Sequence, residues 1–253
     1  MGRILRAHDN VIGREVALKV MLDSSPAAEI DLRRFWMEVQ ATGQLEHPAI
    51  PRLHDLLVWD GLTSFTTDVV EGEPFDEVRD LAHAAALRVF LDVAAAVAHA
   101  HKRGLVHGAL GPWAVTVGAF GRAWVTGWEV ARALPDAPEA AARAALDADA
   151  APAPPEGKRL APELARAAAP TERTDVFGLG LVLEQTLASG STAGLRAIVD
   201  KALAKEPRAR YADAASLAED VRRAVDGRAV GAARETPLGT LRRLAGHHPV
   251  AAG

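Results

Sequence analysis

The hydrophobic period changes once along this chain, from strand-like runs in its first third to helical spacing in the rest, so the fold has to join a small sheet to a larger helical half. Ile4 and Leu5 open one β-rich run, His8 to Gly13 supplies turn residues, and Val16 to Leu22 forms a second run. From Asp31 the spacing turns helical: Leu32, Phe35, Trp36 and Val39 share one predicted face on a helix that also carries Glu38, and Pro48 and Pro51 stop it. Leu53 to Glu71 is strand-like again and ends at the Glu71-Gly72 turn.

The helical half begins with a long predicted helix from about Ala84 to Arg103, which places Phe90, Val93, Val97 and His101 on one face and stops at Gly104. Leu105 to Val130 reads as short strands and loops broken by Gly108, Gly111, Pro112, Gly118 and Gly121. Leu134 to Pro155 is almost entirely Ala, Pro and Asp, too little side-chain surface to offset its ordering entropy, and is expected to be a mobile insert. Val176 to Leu187 is apolar nearly all round and marks a buried central helix. Leu195, Ile198, Val199, Ala202 and Leu203 form an amphipathic helix, and a last helix carries Leu217, Val221 and Val225. The tail holds a short candidate helix near Leu238 to Leu244, and no internal repeat is visible.

Composition narrows the function classes. A net charge of −4 with 25% charged residues offers no basic field for nucleic acid or anionic lipid. The absence of cysteine excludes disulfides, thiolate metal sites and a cysteine nucleophile. The N-terminus has no signal pattern, and the Ala-rich stretch from Leu81 to Ala100 is interrupted by His83, Arg88 and Asp92, so a soluble, cytoplasmic protein is expected.

Val16-Ala17-Leu18-Lys19, Glu38 and Glu46-His47-Pro48, then Ala161-Pro162-Glu163, Asp175, Glu206-Pro207 and Arg210-Tyr211, stand in an order and at spacings that resemble a protein kinase domain. The style is that of the bacterial serine/threonine kinases, and the resemblance runs from Gly2 to about Asp226. It implies an α+β, two-lobed fold. A small lobe of sheet plus one helix over residues 1–72 precedes a larger helical lobe over 73–226, with the insert 134–155 and a tail 227–253. In the family the strand lysine holds the α- and β-phosphates of ATP and the helix glutamate pairs with it, roles that fall to Lys19 and Glu38. The same likeness assigns Thr67 to the back of the adenine pocket, Asp68 to Val70 to the segment that meets the base, and Gly2 to the last glycine of the phosphate loop. With Ala17 these are the candidate nucleotide-binding residues, while Glu163, Asp175 and Arg210 are structural in the family. Equally, Lys19 and Glu38 simply join two elements of the small lobe, and Thr67 is an ordinary strand residue.

The resemblance fails where the chemistry lies. The family's catalytic loop runs His-Arg-Asp-Leu-Lys-Pro-x-Asn, and here the matching residues are His107, Gly108, Ala109, Leu110, Gly111, Pro112, Trp113 and Ala114. The base, the phosphate-contacting lysine and the metal-binding asparagine are replaced by Ala109, Gly111 and Ala114. The metal-binding Asp-Phe-Gly is matched by Gly127-Trp128-Glu129, so its first position has no carboxylate, and Glu129, two residues on, is expected to project differently. His107 reads as a packed structural histidine. The family's first strand and most of its Gly-rich loop are absent ahead of Gly2, through true truncation or a start codon placed late; the latter is favoured, because an unpaired strand edge is a liability. Between Trp128 and Ala161 there is no Ser, Thr or Tyr, which removes hydroxyl phosphorylation of that stretch from consideration.

The expectation is a non-catalytic kinase-like module, a pseudokinase. No catalytic residue, no required cofactor and no metal are expected; ATP or another nucleotide is a candidate ligand without magnesium. The expected partner is a protein, an active kinase among the candidates, with no nucleic acid and no membrane. The competing reading is an ATP-dependent transferase that uses Lys19, Glu38 and Glu129 in an altered geometry; a decaying gene product without a selected role is a third. The histidines at 99, 101, 247 and 248 lack further ligands in sequence and carry no metal expectation.

Overall fold

The computed structural model describes residues 2–22, 28–78, 81–134, 157–187 and 191–232. Strands β1 (Arg3–Asp9) and β2 (Arg14–Val20) form an antiparallel hairpin in register from Arg3 opposite Val20 to Asp9 opposite Arg14. Its turn is closed by Asp9, whose carboxylate accepts from the backbone N–H of Val11 and Ile12. Strands β3 (Leu53–Trp59) and β4 (Leu62–Thr67) follow, and the sheet order is β1-β2-β4-β3. Asp60 and Gly61, with φ of 50° and 78°, make the tight β3–β4 turn, an Asp-Gly hairpin signal that the reading of Leu53 to Glu71 as one strand-like stretch passed over.

Helix α1 (Ala28–Gln44) crosses the sheet, and its buried residues correct the expected face. Phe35 and Val39 pack on Phe65 of β4, whereas Met37 and Ala41, with Leu45 just past the helix end, join the core of the helical half. Leu32 and Trp36 are each 37% exposed. A helix wedged between two bodies buries two stripes, so one i, i+3, i+4 stripe misplaces part of its face.

The helical half is organised on α2 (His83–Lys102), whose Phe90, Val93, Val97 and His101 are all buried, together with Ala86, Leu87, Val89, Ala94, Ala96 and Ala100. By length and hydropathy α2 could cross a bilayer, yet its buried residues sit in the main core of this lobe. Short strands β5 (Glu73–Pro74), β6 (Leu105–Val106), β7 (Val115–Val117), β8 (Ala123–Val125) and β9 (Arg132–Ala133) form the loops on the cleft side. Helices α3 (Glu172–Thr186), α4 (Ala193–Ala202) and α5 (Ala214–Val225) complete the lobe. Asp213 caps α5 by accepting from Ser216 N–H at 2.7 Å, and Thr192 caps α4 through Leu195 N–H at 3.3 Å.

Leu217 and Val221 are buried as expected, but Val225 in the last turn of α5 is 53% exposed, because the helix has run past the core there. Packing nevertheless continues beyond Asp226. The Asp220 carboxylate accepts from Tyr211 Oη, Gly231 N–H and Ala232 N–H, and Val230 is buried in the lobe's core. Residues 135–155 of the expected insert, the candidate helix Leu238 to Leu244 and the histidines at 247 and 248 lie outside the described residues.

Candidate functional site

The period of two in β2 decides what faces the cleft. Val16, Leu18 and Val20 are buried on one side, and Ala17 and Lys19 turn to the other, where both line a cavity of about 460 Å³. Helix α1 crosses beneath and brings Glu38 to Lys19, and Lys19 Nζ donates to Glu38 Oε2 in a largely buried ion pair. Burial pushes the Glu38 carboxyl above its usual value; Lys19 pulls it back, and the charge of Glu129 pushes it further up.

Beyond the pair the wall is mostly apolar, with Phe65, Val70 and Trp128, and Thr67 and Asp68 at the rear. Thr67 Oγ1 donates to the Asp68 carbonyl at 3.2 Å. The Asp68 carboxylate is turned onto β3, accepting from Arg52 N–H at 3.1 Å and lying 3.1 Å from His54 Nε2, which fixes the segment up to Val70. Of the candidate nucleotide-binding residues, Ala17, Lys19, Glu38, Thr67, Asp68 and Val70 line this cavity; Gly2 does not, and a Cβ there would fall 2.3 Å from the Val20 carbonyl oxygen.

A second compartment of about 420 Å³ adjoins the first at Lys19, Glu38 and Gly127 and is walled by Ala109, Ala114 and Glu129. Three of the degenerate positions, Ala109, Ala114 and Gly127, therefore meet in one place. Gly111 stands beneath Trp113: a Cβ at Gly111 would lie 2.2–2.5 Å from the indole, whose Nε1–H donates to the Ala109 carbonyl at 3.3 Å. Its φ of −176° is ordinary extended backbone, so the glycine serves space and not conformation. The sequence reading missed this contact, and the only local hint is a large ring two residues from a glycine. Glu129, expected to project differently from the missing carboxylate, lines the compartment, its Oε2 3.8 Å from where a Gly127 Cβ would stand. The cause is local: Gly127 has φ +83° and a helical turn over Trp128–Val130 follows, which swings residue 129 back to the cleft.

The loop before the compartment is held by Asp175 of α3, fully buried, whose carboxylate accepts from His107 N–H at 2.7 Å, Gly108 N–H at 2.9 Å and His101 Nε2–H at 3.0 Å. His107 is buried beside Trp128, ring centroids 4.8 Å apart, and its Nε2–H donates to the Thr126 carbonyl at 2.8 Å. It holds the loop, with its other ring nitrogen, Nδ1, accepting from the Ala109 N–H at 3.4 Å. Glu163 and Arg210 form a bidentate pair at 2.7 and 2.8 Å, and Thr174 Oγ1 donates to Glu163 at 3.1 Å. Among the described residues no cluster of three His, Asp or Glu side chains is placed to hold a metal ion.

A family model described as protein tyrosine and serine/threonine kinase matches residues 2–213. The chain belongs to the protein kinase family. The kinase domain is 26% identical over 259 residues to the serine/threonine-protein kinase PrkC of Bacillus subtilis, covering 89% of this chain and 39% of PrkC. It is 29% identical over 191 residues to the serine/threonine-protein kinase PknA of Mycobacterium tuberculosis, covering 72% of this chain and 42% of PknA. It thus spans about two fifths of the length of these relatives. Its fold matches the crystal structure of the Mycobacterium tuberculosis PknI kinase domain with a TM-score of 0.64 at 22% identity, over 89% of this chain and 91% of the other. The α+β, two-lobed kinase-like fold follows from that match and from the sheet and helical halves described above.

Proposed function

We propose that this kinase-family domain works without phosphoryl transfer, as a signalling module that engages a protein partner, an active kinase being the first candidate. The observation that carries the reading is the second compartment. Where phosphoryl transfer needs a proton acceptor, a phosphate-contacting cation and two metal anchors, the chain places Ala109, Gly111, Ala114 and Gly127, with the Trp113 indole over Gly111. A positioned base contributes roughly 10²- to 10⁴-fold and a metal several kcal/mol, and at these four positions the chain offers neither the base nor the anchors. The Lys19–Glu38 pair and the cavity beside it leave a place for ATP or another nucleotide without magnesium. In this reading residues 1–72 act as the small lobe, 73–226 as the large lobe and 227–253 as a tail whose first residues, Val230 to Ala232, pack onto the large lobe.

One observation favours a second reading. Glu129 lines the same compartment as Lys19 and Glu38, so a transferase with altered geometry would have to use those three. The two separate in an assay with γ-labelled ATP, magnesium or manganese, and a generic protein acceptor. Incorporation by the wild-type chain is expected to equal that of the Lys19→Met variant; incorporation that Lys19→Met abolishes would establish the transferase.

A further inference from the structure

The cleft has two ends of opposite character. The inner end is a cavity of about 460 Å³, within the range of small-molecule sites, with apolar walls from Leu5, Ala17, Phe65 and Trp128. Asp68, Val69 and Val70 line it, and among the described residues the N–H groups of Val69 and Val70 find no backbone acceptor. An apolar-walled slot with these backbone donors on one rim fits a planar heteroaromatic ring.

The outer end is anionic. Of the charged side chains along the two compartments, Arg6 and Lys19 are cations and Glu38, Asp68 and Glu129 are anions. Both cations are engaged, Arg6 with Glu15 and Glu71 and Lys19 with Glu38. Asp68 is engaged by Arg52 and His54, which leaves Glu129, among the described residues, as the carboxylate without an ion-pair partner. A phosphate chain running outward from a base in the slot would meet Glu129, and Lys19, whose ammonium keeps donors beyond the one on Glu38, would offset only one of the two carboxylates there. No anchored metal is there to reverse the sign.

We propose that Glu129 makes this cleft select an uncharged, planar nucleoside over the corresponding triphosphate. The inference rests on the reading that the second compartment anchors no metal; it adds the ligand class and the residue that sets it. Carboxylate and phosphate would face each other across a partly desolvated compartment, where repulsion between like charges is stronger than in water.

Calorimetric titration of the full chain with adenosine, adenosine monophosphate and ATP, each with and without magnesium, tests it in wild type and Glu129→Gln. Adenosine is expected to bind about tenfold or more tightly than ATP in wild type, with the monophosphate between. Glu129→Gln is expected to narrow the gap by about three- to tenfold, with thermal unfolding confirming that the variant is folded. Tighter binding of ATP than adenosine, an unchanged ratio in Glu129→Gln, or no binding of either ligand at millimolar concentration would each overturn the proposal. None of these results would touch the non-catalytic reading, which falls only if phosphate is transferred.

Discussion

Replacing Asp175 with alanine is expected to lower the stability of the domain by about 3–5 kcal/mol, the range for removing one partner of a buried charged network. Its carboxylate is 0% exposed and takes three donors from two segments, the His107 and Gly108 backbone and the His101 ring. Removing it strands all three in a dry interior, where each unmet donor costs about 1–3 kcal/mol. Domains of this kind hold about 5–15 kcal/mol in total, so the variant should unfold roughly 10 °C below wild type. Asp175→Asn should recover part of the loss, since it keeps one acceptor oxygen and the side-chain volume. Thermal unfolding followed by circular dichroism reads the difference; a fall in melting temperature within error of zero for Asp175→Ala would show that the loop is held by other contacts.

The Arg210→Ala variant is expected to lose a comparable amount, about 3–5 kcal/mol. The Arg210 side chain is 0% exposed, and besides both Glu163 oxygens it donates to the carbonyls of Ala204, Lys205 and Arg173. Its loss leaves Glu163 a charge without its partner and opens a cavity beside Phe177, over whose ring the guanidinium sits at 4.8 Å. Arg210→Lys should fail to restore stability, because an ammonium has no planar fork with which to meet a carboxylate and three carbonyls together.

The same pair sets a pH dependence. Burial raises the Glu163 carboxyl, but the hydrogen bonds and charge of Arg210, with Thr174, outweigh it and hold the group below its usual value. A carboxyl depressed in the folded state contributes stability that is present above its unfolded pKa, about 4.3, and is lost as the pH falls through the folded value. Glu38, raised in the folded state, contributes the opposite way, its share being lost as pH rises above the ordinary glutamate range. Glu38 is common to wild type and Glu163→Gln, so it cancels in the comparison. The stability gap between wild type and Glu163→Gln should therefore shrink as pH is lowered below about 5, read by urea unfolding at stepped pH. A gap that stays constant or widens on acidification would contradict the assigned ionisation of Glu163.

What was legible in the sequence was local. Lys19 sits in an alternating strand, Glu38 on a helix at a fixed distance, and Glu163, Asp175 and Arg210 in short motifs, and the structure pairs Lys19 with Glu38 and Glu163 with Arg210. What escaped was contact between segments that pattern alone cannot bring together. His101 meets Asp175 across 74 positions, a distance along the chain at which periodicity says nothing about pairing. Trp113 lies over Gly111 because the backbone turns at Pro112, and the stripe on α1 was misplaced at Leu32 and Trp36 because that helix serves two cores. The position of Glu129 depended on the left-handed backbone at Gly127, which a glycine permits but does not announce.

Whether the compartment beside Ala109, Ala114 and Gly127 can anchor a divalent ion on a bound triphosphate decides between a silent cleft and a working one. Manganese titrated into the protein in the presence of ATP, followed by electron paramagnetic resonance, measures this directly. The predicted spectrum is that of manganese on free ATP, unchanged by addition of protein. One or two manganese ions per chain in an ATP-dependent, protein-bound environment would contradict it.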